Sequence, residues 1–401
     1  MHLSLARSAR RRKNESRHSG WTSAGPLPLS RYPREVRSVK RVSLFASVFG
    51  AAALSLLLVA AVPSQQGTQQ SGILDSKPVK LDRLDPAVDQ IVPHSAKLER
   101  IATGFKWVEG PVWLNGSLYF AEIPSDSIRK WTPGSGATMF LTPSGYMGST
   151  AYGGPESGSN GMTLDVHNRL TVAGHAQRDV YRLESASPTA QITILADSYQ
   201  GKKLNSPNDL VYRSDGSLYF TDPPYGLRTQ GDNDPEKQLS KNGVYRIPHA
   251  LEQKAGAQPA RSELQQLAVD LPRPNGIAFS PDEKYLYVNN SEPQKIWMRY
   301  RVQPDGSLTE AKLFYDATSD KRPGAPDGMK VDEKGNIYST GPGGIWIFTP
   351  EGKPLGIILI TEKAANVAWG GADRKTLYIT ASSSVYRVNL SISGAPLVRA
   401  R

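Results

Sequence analysis

Apolar and polar residues alternate in short bursts from about Leu98 to about Leu390, and turn formers bound each burst. The stretch NSPNDLVYRSDGSLYFTDPPYG at 205–226 shows the unit in full. Pro-Asn opens it, Leu210 and Tyr212 mark one strand, Ser-Asp-Gly turns the chain, and Leu218 and Phe220 mark a second strand running into Asp222. That is a β-hairpin with turn chemistry at both ends. Weaker copies are EGPVWLNGSLYFAE from Glu109, SNGMTLDVHNRLTVAG from Ser159, PNGIAFSPDEKYLYVNN from Pro274, PDGMKVDEKGNIYST from Pro326 and NVAWGGADRKTLYIT from Asn366, six copies in all.

Taking Glu109, Asn160, Asn208, Asn275, Asp327 and Asn366 as equivalent points, the spacings are 51, 48, 67, 52 and 39 residues. Each interval suits one four-stranded blade. The long one holds a Gln-, Ala- and Pro-rich insertion at about 251–266. One hairpin cannot bury its apolar face alone, so the copies must stack, and radial stacking also protects strand edges. The pattern predicts an all-β, six-bladed β-propeller over residues 96–391, with four antiparallel strands per blade. Segments 127–131, 180–183, 244–247, 296–300, 344–348 and 384–388 are expected to be the outer strands.

Upstream the pattern changes. Residues 1–41 are Arg- and Ser-rich, lack an apolar period and read as a disordered basic tail. Residues 42–62 form a run of 21 without a charge, preceded by Lys40 and Arg41. The run reads as a signal peptide or a membrane anchor, so the domain is expected to be exported, to a periplasmic or extracellular location. A basic region of 41 residues is long for a signal peptide, which suggests a start further downstream, for instance at Val36 or Val39. Residues 63–95 read as a linker with one irregular strand.

Charge narrows the partners. The net charge is +11, but residues 1–41 hold 11 Lys/Arg against two acids, leaving 37 bases against 35 acids in the remainder. The folded part is nearly neutral and offers no basic face to nucleic acid; a membrane is reached only through residues 42–62 if they are uncleaved. With no cysteine in the chain, disulfides, thiolate nucleophiles and Cys-ligated metal centres are excluded.

Five of the six equivalent points carry an oxygen ligand, as Glu109, Asn160, Asn208, Asn275 and Asp327. In a propeller these would converge at one end of the central channel. Two carboxylates with amide oxygens are a hard donor set, suited to Ca²⁺ or, with more water, to Mg²⁺ or Mn²⁺, and hydrolysis is the natural chemistry of such a site. Each motif alone also suits an ordinary turn, and Asn366 reads as one. No G-x-S-x-G elbow is present. Beyond the basic tail and the apolar run the histidines are His94, His167, His175 and His249. His175 occupies the place in its copy that Asp222 holds in TDPPYG, so both are placed at the channel mouth, with a satisfied structural histidine and a turn cap as the alternatives.

VEGPVW, SNGMTLD, LNSPNDLVYRSDGSLYFTDPPYGL, RPNGIAFSPDEKYLYVNN and PDGMKVDEKGNIYSTGPGGIWIFTPEGKPLG, in that order between residues 102 and 388, resemble the gluconolactonase branch of the senescence-marker-protein/gluconolactonase (regucalcin-like) family. The resemblance implies a six-bladed propeller with one divalent cation in its channel and hydrolysis of a sugar lactone. The implied ligands are Glu109, Asn208, Asn275 and Asp327, with Ca²⁺ ahead of Zn²⁺, Mn²⁺ or Mg²⁺. Asp327 would also serve as general base, Asn160, His175, Asp222 and Tyr225 would hold substrate hydroxyls, and Asp209 would support a ligand. Hydrolysis of other lactones, aryl esters or phosphotriesters, or a non-catalytic ligand-binding propeller, are the alternatives.

Overall fold

A computed structural model describes residues 72–397. The basic tail, the apolar run at 42–62 and the start of the linker lie outside the described residues. Among the described residues no helix is long and apolar enough to cross a membrane.

The described chain forms six antiparallel sheets of four or five strands and one two-stranded ribbon. The first strand of each sheet lies against the first strands of its two neighbours, and Ala364–Gly370 of the sixth blade meets Val108–Leu114 of the first, so the ring closes as a six-bladed propeller. The hairpin at 205–226 folds as its sequence dictates: Leu210–Tyr212 pairs with Leu218–Asp222. Gly216 takes a φ of 84° in the turn, where Asp215 Oδ1 accepts from the Ser217 amide at 2.9 Å. Leu210, Tyr212, Leu218 and Phe220 are buried between blades, each burial stabilising the fold by roughly 1.5–3 kcal/mol.

The segments expected to be outer strands are third strands. A fourth strand covers each: Gly136–Leu141, Ile192–Ala196, Gln265–Ala268, Leu308–Asp316, Pro354–Leu359 and, for the sixth blade, Lys97–Thr103. Gly136–Leu141, Gln265–Ala268 and Leu308–Asp316 are partly or largely exposed edges with weak alternation, whereas Pro354–Leu359 and Lys97–Thr103 are each covered by a further strand. The insertion ends earlier than expected, since Gln265 and Gln266 already pair with Arg246 and Tyr245.

The sixth blade is completed from the N-terminal side, Val385 opposite Ala102 and Arg387 opposite Glu99. Within the region read as linker, Asp75–Pro78 adds to the sixth blade and Leu81–Arg83 to the fifth. A 3₁₀ turn at Pro86–Gln90, capped by Asp85, then buries Val88 against both. No local pattern marks these strands because they are short and mostly exposed, and the partner of Leu81–Arg83 lies far along the chain.

Candidate metal and catalytic centre

The six equivalent points meet around the axis, and local backbone chemistry explains how. At Glu109, Asn275 and Asn366 the inner strand shifts register; Asn160, Asn208 and Asp327 lie two residues ahead of theirs. A bulge or strand start turns a side chain out of the sheet and toward the channel. Glycine follows four of the points because the blades nearly touch there. A Cβ on Gly161 would lie 2.4 Å from the Asn208 carbonyl oxygen, and one on Gly276 would lie 2.0 Å from that of Asp327. The Asn-Gly and Asp-Gly pairs are thus close approaches between blades rather than ordinary turns. Blade three has Asp209 at this place, and the Gly161 amide donates to the Asn208 carbonyl at 2.7 Å.

A cavity of about 250 Å³ opens at this end, lined by Trp107, Glu109, Ile123, Glu156, Asn160, Asn208, Tyr225, Asn275, Ser291, Glu292, Ala325 and Asp327. Six of the expected site residues, Glu109, Asn160, Asn208, Tyr225, Asn275 and Asp327, are therefore together. Two are not. Asp222 is fully buried below the wall, where its carboxylate accepts from the Asn205 and Ser206 amides, each at 2.8 Å. It caps the NSPND turn, and burial pushes its pKa up to about 7 against those two amides. His175 is fully buried behind Glu156, its Nε2 3.0 Å from Glu156 Oε2. Equivalence along the sequence placed both at the mouth, but the chain turns each side chain into the wall.

Electrostatics separate this centre from the rest of the core. Burial raises the Glu109 carboxyl to about 7, partly opposed by the Gly110 amide and by Asn366. Burial again, then the negative charge of Glu109 and Asp209, holds Asp327 well above the usual carboxylate range. Lys330 Nζ, 3.7 Å from Asp209 Oδ2, is the cation beside this group of acids.

Three buried oxygens here, Asn160 Oδ1, Asn275 Oδ1 and Asp209 Oδ2, have no hydrogen-bond partner in the protein. Such groups cost about 1–3 kcal/mol each unless something else satisfies them. The Asn275 amide is fixed oxygen-free by a chain in which its Nδ2 donates to Ser291 Oγ at 3.0 Å and Ser291 donates to the Pro326 carbonyl at 2.7 Å. Two repelling carboxylates beside unsatisfied amide oxygens fit a hard divalent cation. Among the described residues no group of three or more His, Asp and Glu converges in metal-holding geometry, so any cation here depends on the amides.

Asn366 does more than turn the chain. Its Nδ2 donates to Glu109 Oε2 at 3.1 Å while its Oδ1 accepts from the Val367 amide at 2.8 Å, so it aims Glu109. Its equivalence to the other five points was the available signal. Trp107, Glu156, Ser291 and Glu292 escape sequence reading because loops bring them to the cavity. Arg273, in the RPNG motif, lies over the Tyr225 ring and 3.4 Å from Glu292 Oε1.

Residues 107–383 match the family model described as SMP-30/Gluconolactonase/LRE-like region. The chain is 37% identical over 326 residues to a gluconolactonase of Zymomonas mobilis, covering 79% of this chain and 87% of that protein. A solved gluconolactonase from Xanthomonas campestris is 28% identical and superposes with a TM-score of 0.66, covering 80% of this chain and 99% of that one. Regucalcin of Agrobacterium tumefaciens, a calcium-binding protein at 17% identity and TM-score 0.54, shares the fold. On its repeats, its propeller and these matches, the chain belongs to the SMP-30/gluconolactonase/LRE-like family.

Proposed function

We propose that the protein hydrolyses a sugar lactone to its aldonic acid, using one divalent cation, Ca²⁺ first among candidates, held by Glu109, Asn208, Asn275 and Asp327. The observation that carries this is the convergence of the buried Glu109 carboxylate, the half-buried Asp327 carboxylate and unsatisfied amide oxygens in one open cavity. Family membership and the lactone-hydrolysing relatives supply the substrate class. When bound, a divalent cation supplies Lewis acidity to a carbonyl and acidity to a water.

The chain's own groups do the remainder. Asp327, at the cavity floor with Glu109, takes the proton of the attacking water as general base. Asn160 and Tyr225 face the cavity with groups that hydrogen-bond sugar hydroxyls, and Ser291 and Glu292 extend that polar wall. Trp107 and Ile123 form an apolar side that restricts water. Asp209, beside Asn208 and paired with Lys330, balances charge under the ligands. The buried positions of Asp222 and His175 give neither a direct hold on substrate.

Gluconolactone hydrolysis, followed before and after chelation and after Ca²⁺ readdition, tests the reading, with circular dichroism reporting the fold. Turnover should vanish on chelation and return with the cation. Full turnover in chelator, or no turnover under any cation, would sink it. We also propose export through residues 42–62; recovery of the native protein in the cytoplasmic fraction with those residues intact would contradict that.

A further inference from the structure

Glu156 reaches the cavity from the loop joining the first and second blades, and that loop is firmly held. Asp126 Oδ1 accepts from the Ser144 and Gly145 amides at 2.9 and 2.7 Å, and the Tyr181 hydroxyl donates to the Ser144 carbonyl at 2.8 Å. Directly after Glu156, the Ser157 carbonyl accepts from the Tyr146 amide and the Gly158 amide donates to the Ile123 carbonyl, both at 2.8 Å. The carboxylate is therefore presented by a fixed segment, with its side chain 21% exposed to the cavity.

Behind it, the His175 ring is completely enclosed. A Cβ on Gly226 would come within 2.6 Å of the imidazole Cδ2, so the glycine of the DPPYG motif is the flat seat of this ring. Nδ1 lies 3.0 Å from the Pro207 carbonyl oxygen, and a carbonyl only accepts, so Nδ1 carries a hydrogen. Nε2 then faces Glu156 Oε2 at 3.0 Å. A bare nitrogen lone pair against a carboxylate oxygen would repel, so one further proton lies between them. The pair stores a proton at the cavity wall.

Lactone opening needs such a proton, since the ring oxygen leaves with the electron pair of its bond to the carbonyl carbon. The other titratable groups of the cavity are less suited. Glu109 and Asp327 belong to the cation set, Glu292 is turned to an ion pair with Arg273 at 3.4 Å, and burial raises the Tyr225 phenol, weakening it as an acid.

Resting on the lactone-hydrolase reading, we infer that Glu156 is the proton donor to the departing ring oxygen, with His175 as the positioning residue that keeps the proton on the pair. The water oxygen bonds to the carbonyl carbon and Asp327 takes the water's proton. The bond from that carbon to the ring oxygen breaks, and the Glu156 proton converts the ring oxygen to a hydroxyl. The proton on Asp327 returns to the Glu156–His175 pair through solvent at the open mouth, and the new acid ionises in solution.

Two measurements on the full-length, Ca²⁺-loaded protein test this. In E156Q, kcat for gluconolactone should fall about 100-fold, with KM changed less than threefold and bound metal unchanged. H175Q should lower kcat in the same direction with KM again unmoved. A raised KM at unchanged kcat would make Glu156 a holder of substrate hydroxyls, and loss of bound metal would make it part of the cation site; either overturns the assignment. The second measurement is ¹⁵N–¹H NMR of the His175 ring in the wild type, which needs no turnover. It should show Nδ1 protonated and a slowly exchanging proton between Nε2 and Glu156, lost in E156Q. A ring without a hydrogen on Nδ1 refutes the stored proton even if the enzyme is active. A wild type inert on lactones with the proton present refutes the reaction and leaves the pair.

Discussion

Asp327 and Asp332 lie five residues apart at opposite ends of Met329–Val331, the inner strand of the fifth blade. Burial raises the pKa of both, yet their neighbours differ in kind. Asp332 is satisfied: it accepts from the Lys334 and Asn336 amides at 2.9 Å each, from Asn336 Nδ2 at 2.7 Å and from the Tyr338 hydroxyl at 3.0 Å. Asp327 faces other acids, Glu109 and Asp209, among amide oxygens that lack donors. The surrounding ends differ in the same way. Near Asp332 the chain's last described residues close the channel, with the Ala395 amide on the Val331 carbonyl and the Glu333 amide on that of Ser393, both at 3.0 Å. A carboxylate surrounded by donors holds the fold together, whereas one surrounded by acceptors fits a cation from outside.

The sharpest break of this comparison is D327N. It should lower lactone turnover by roughly 10³-fold, while the thermal midpoint of the cation-free protein rises because a repelled, desolvated charge is removed. A lower midpoint with near-normal turnover would reverse the roles of the two residues. D332A should do the opposite. It strands buried donors, so urea unfolding should show a loss of about 3 kcal/mol, with kcat of the folded fraction preserved; equal stability would refute the structural role.

Third in size is N366A, which removes the donor aimed at Glu109. Calorimetric titration with Ca²⁺ should show affinity down by roughly 10- to 100-fold, and unchanged affinity would return Asn366 to a mere turn. The smallest effect is on pH. Glu109 titrates near 7 in the cation-free fold against 4.5 unfolded, so between those values the native state holds more protons than the unfolded one. Stability of the chelated protein should be greatest below about pH 4.5 as far as this group is concerned, and fall by up to about 1.4 kcal/mol per pH unit as pH rises through 7. Bound Ca²⁺ should flatten that slope, and D327N should reduce it. A chelated protein whose stability climbs over the same window would show that the carboxyls are not repelled.

The axial ring was legible because each copy repeats one polar residue at or just ahead of the start of its inner strand, and the repeat survives in sequence even where Asp209 or Val367 stands in place of glycine. Exposed fourth strands such as Leu308–Asp316 were not, since Lys312 and Leu313 face solvent and carry little alternation. Closure by Lys97–Thr103 was hidden for another reason: its partner Ser384–Asn389 is at the other end of the domain. His175 and Asp222 show the limit of equivalence by position. Pairing fixes where a strand ends, but the amides of Asn205 and Ser206 and the carbonyl of Pro207 decide where the side chain after it turns. Glu156 sits in a Gly- and Ser-rich loop whose course depends on Asp126 and Tyr181, neither of which the local sequence announces.

The pairing of Lys97–Thr103 with Ser384–Asn389 also sets a timetable. The ribosome makes the first half of that clasp before any other blade, and the second half after all of them. Until the last segment appears the ring stays open, with one edge waiting for a partner. A chain cut short before Ser384 is left with an unpaired border, the kind of surface that aggregates or is degraded. Synthesis through to the end is thus checked by the architecture itself.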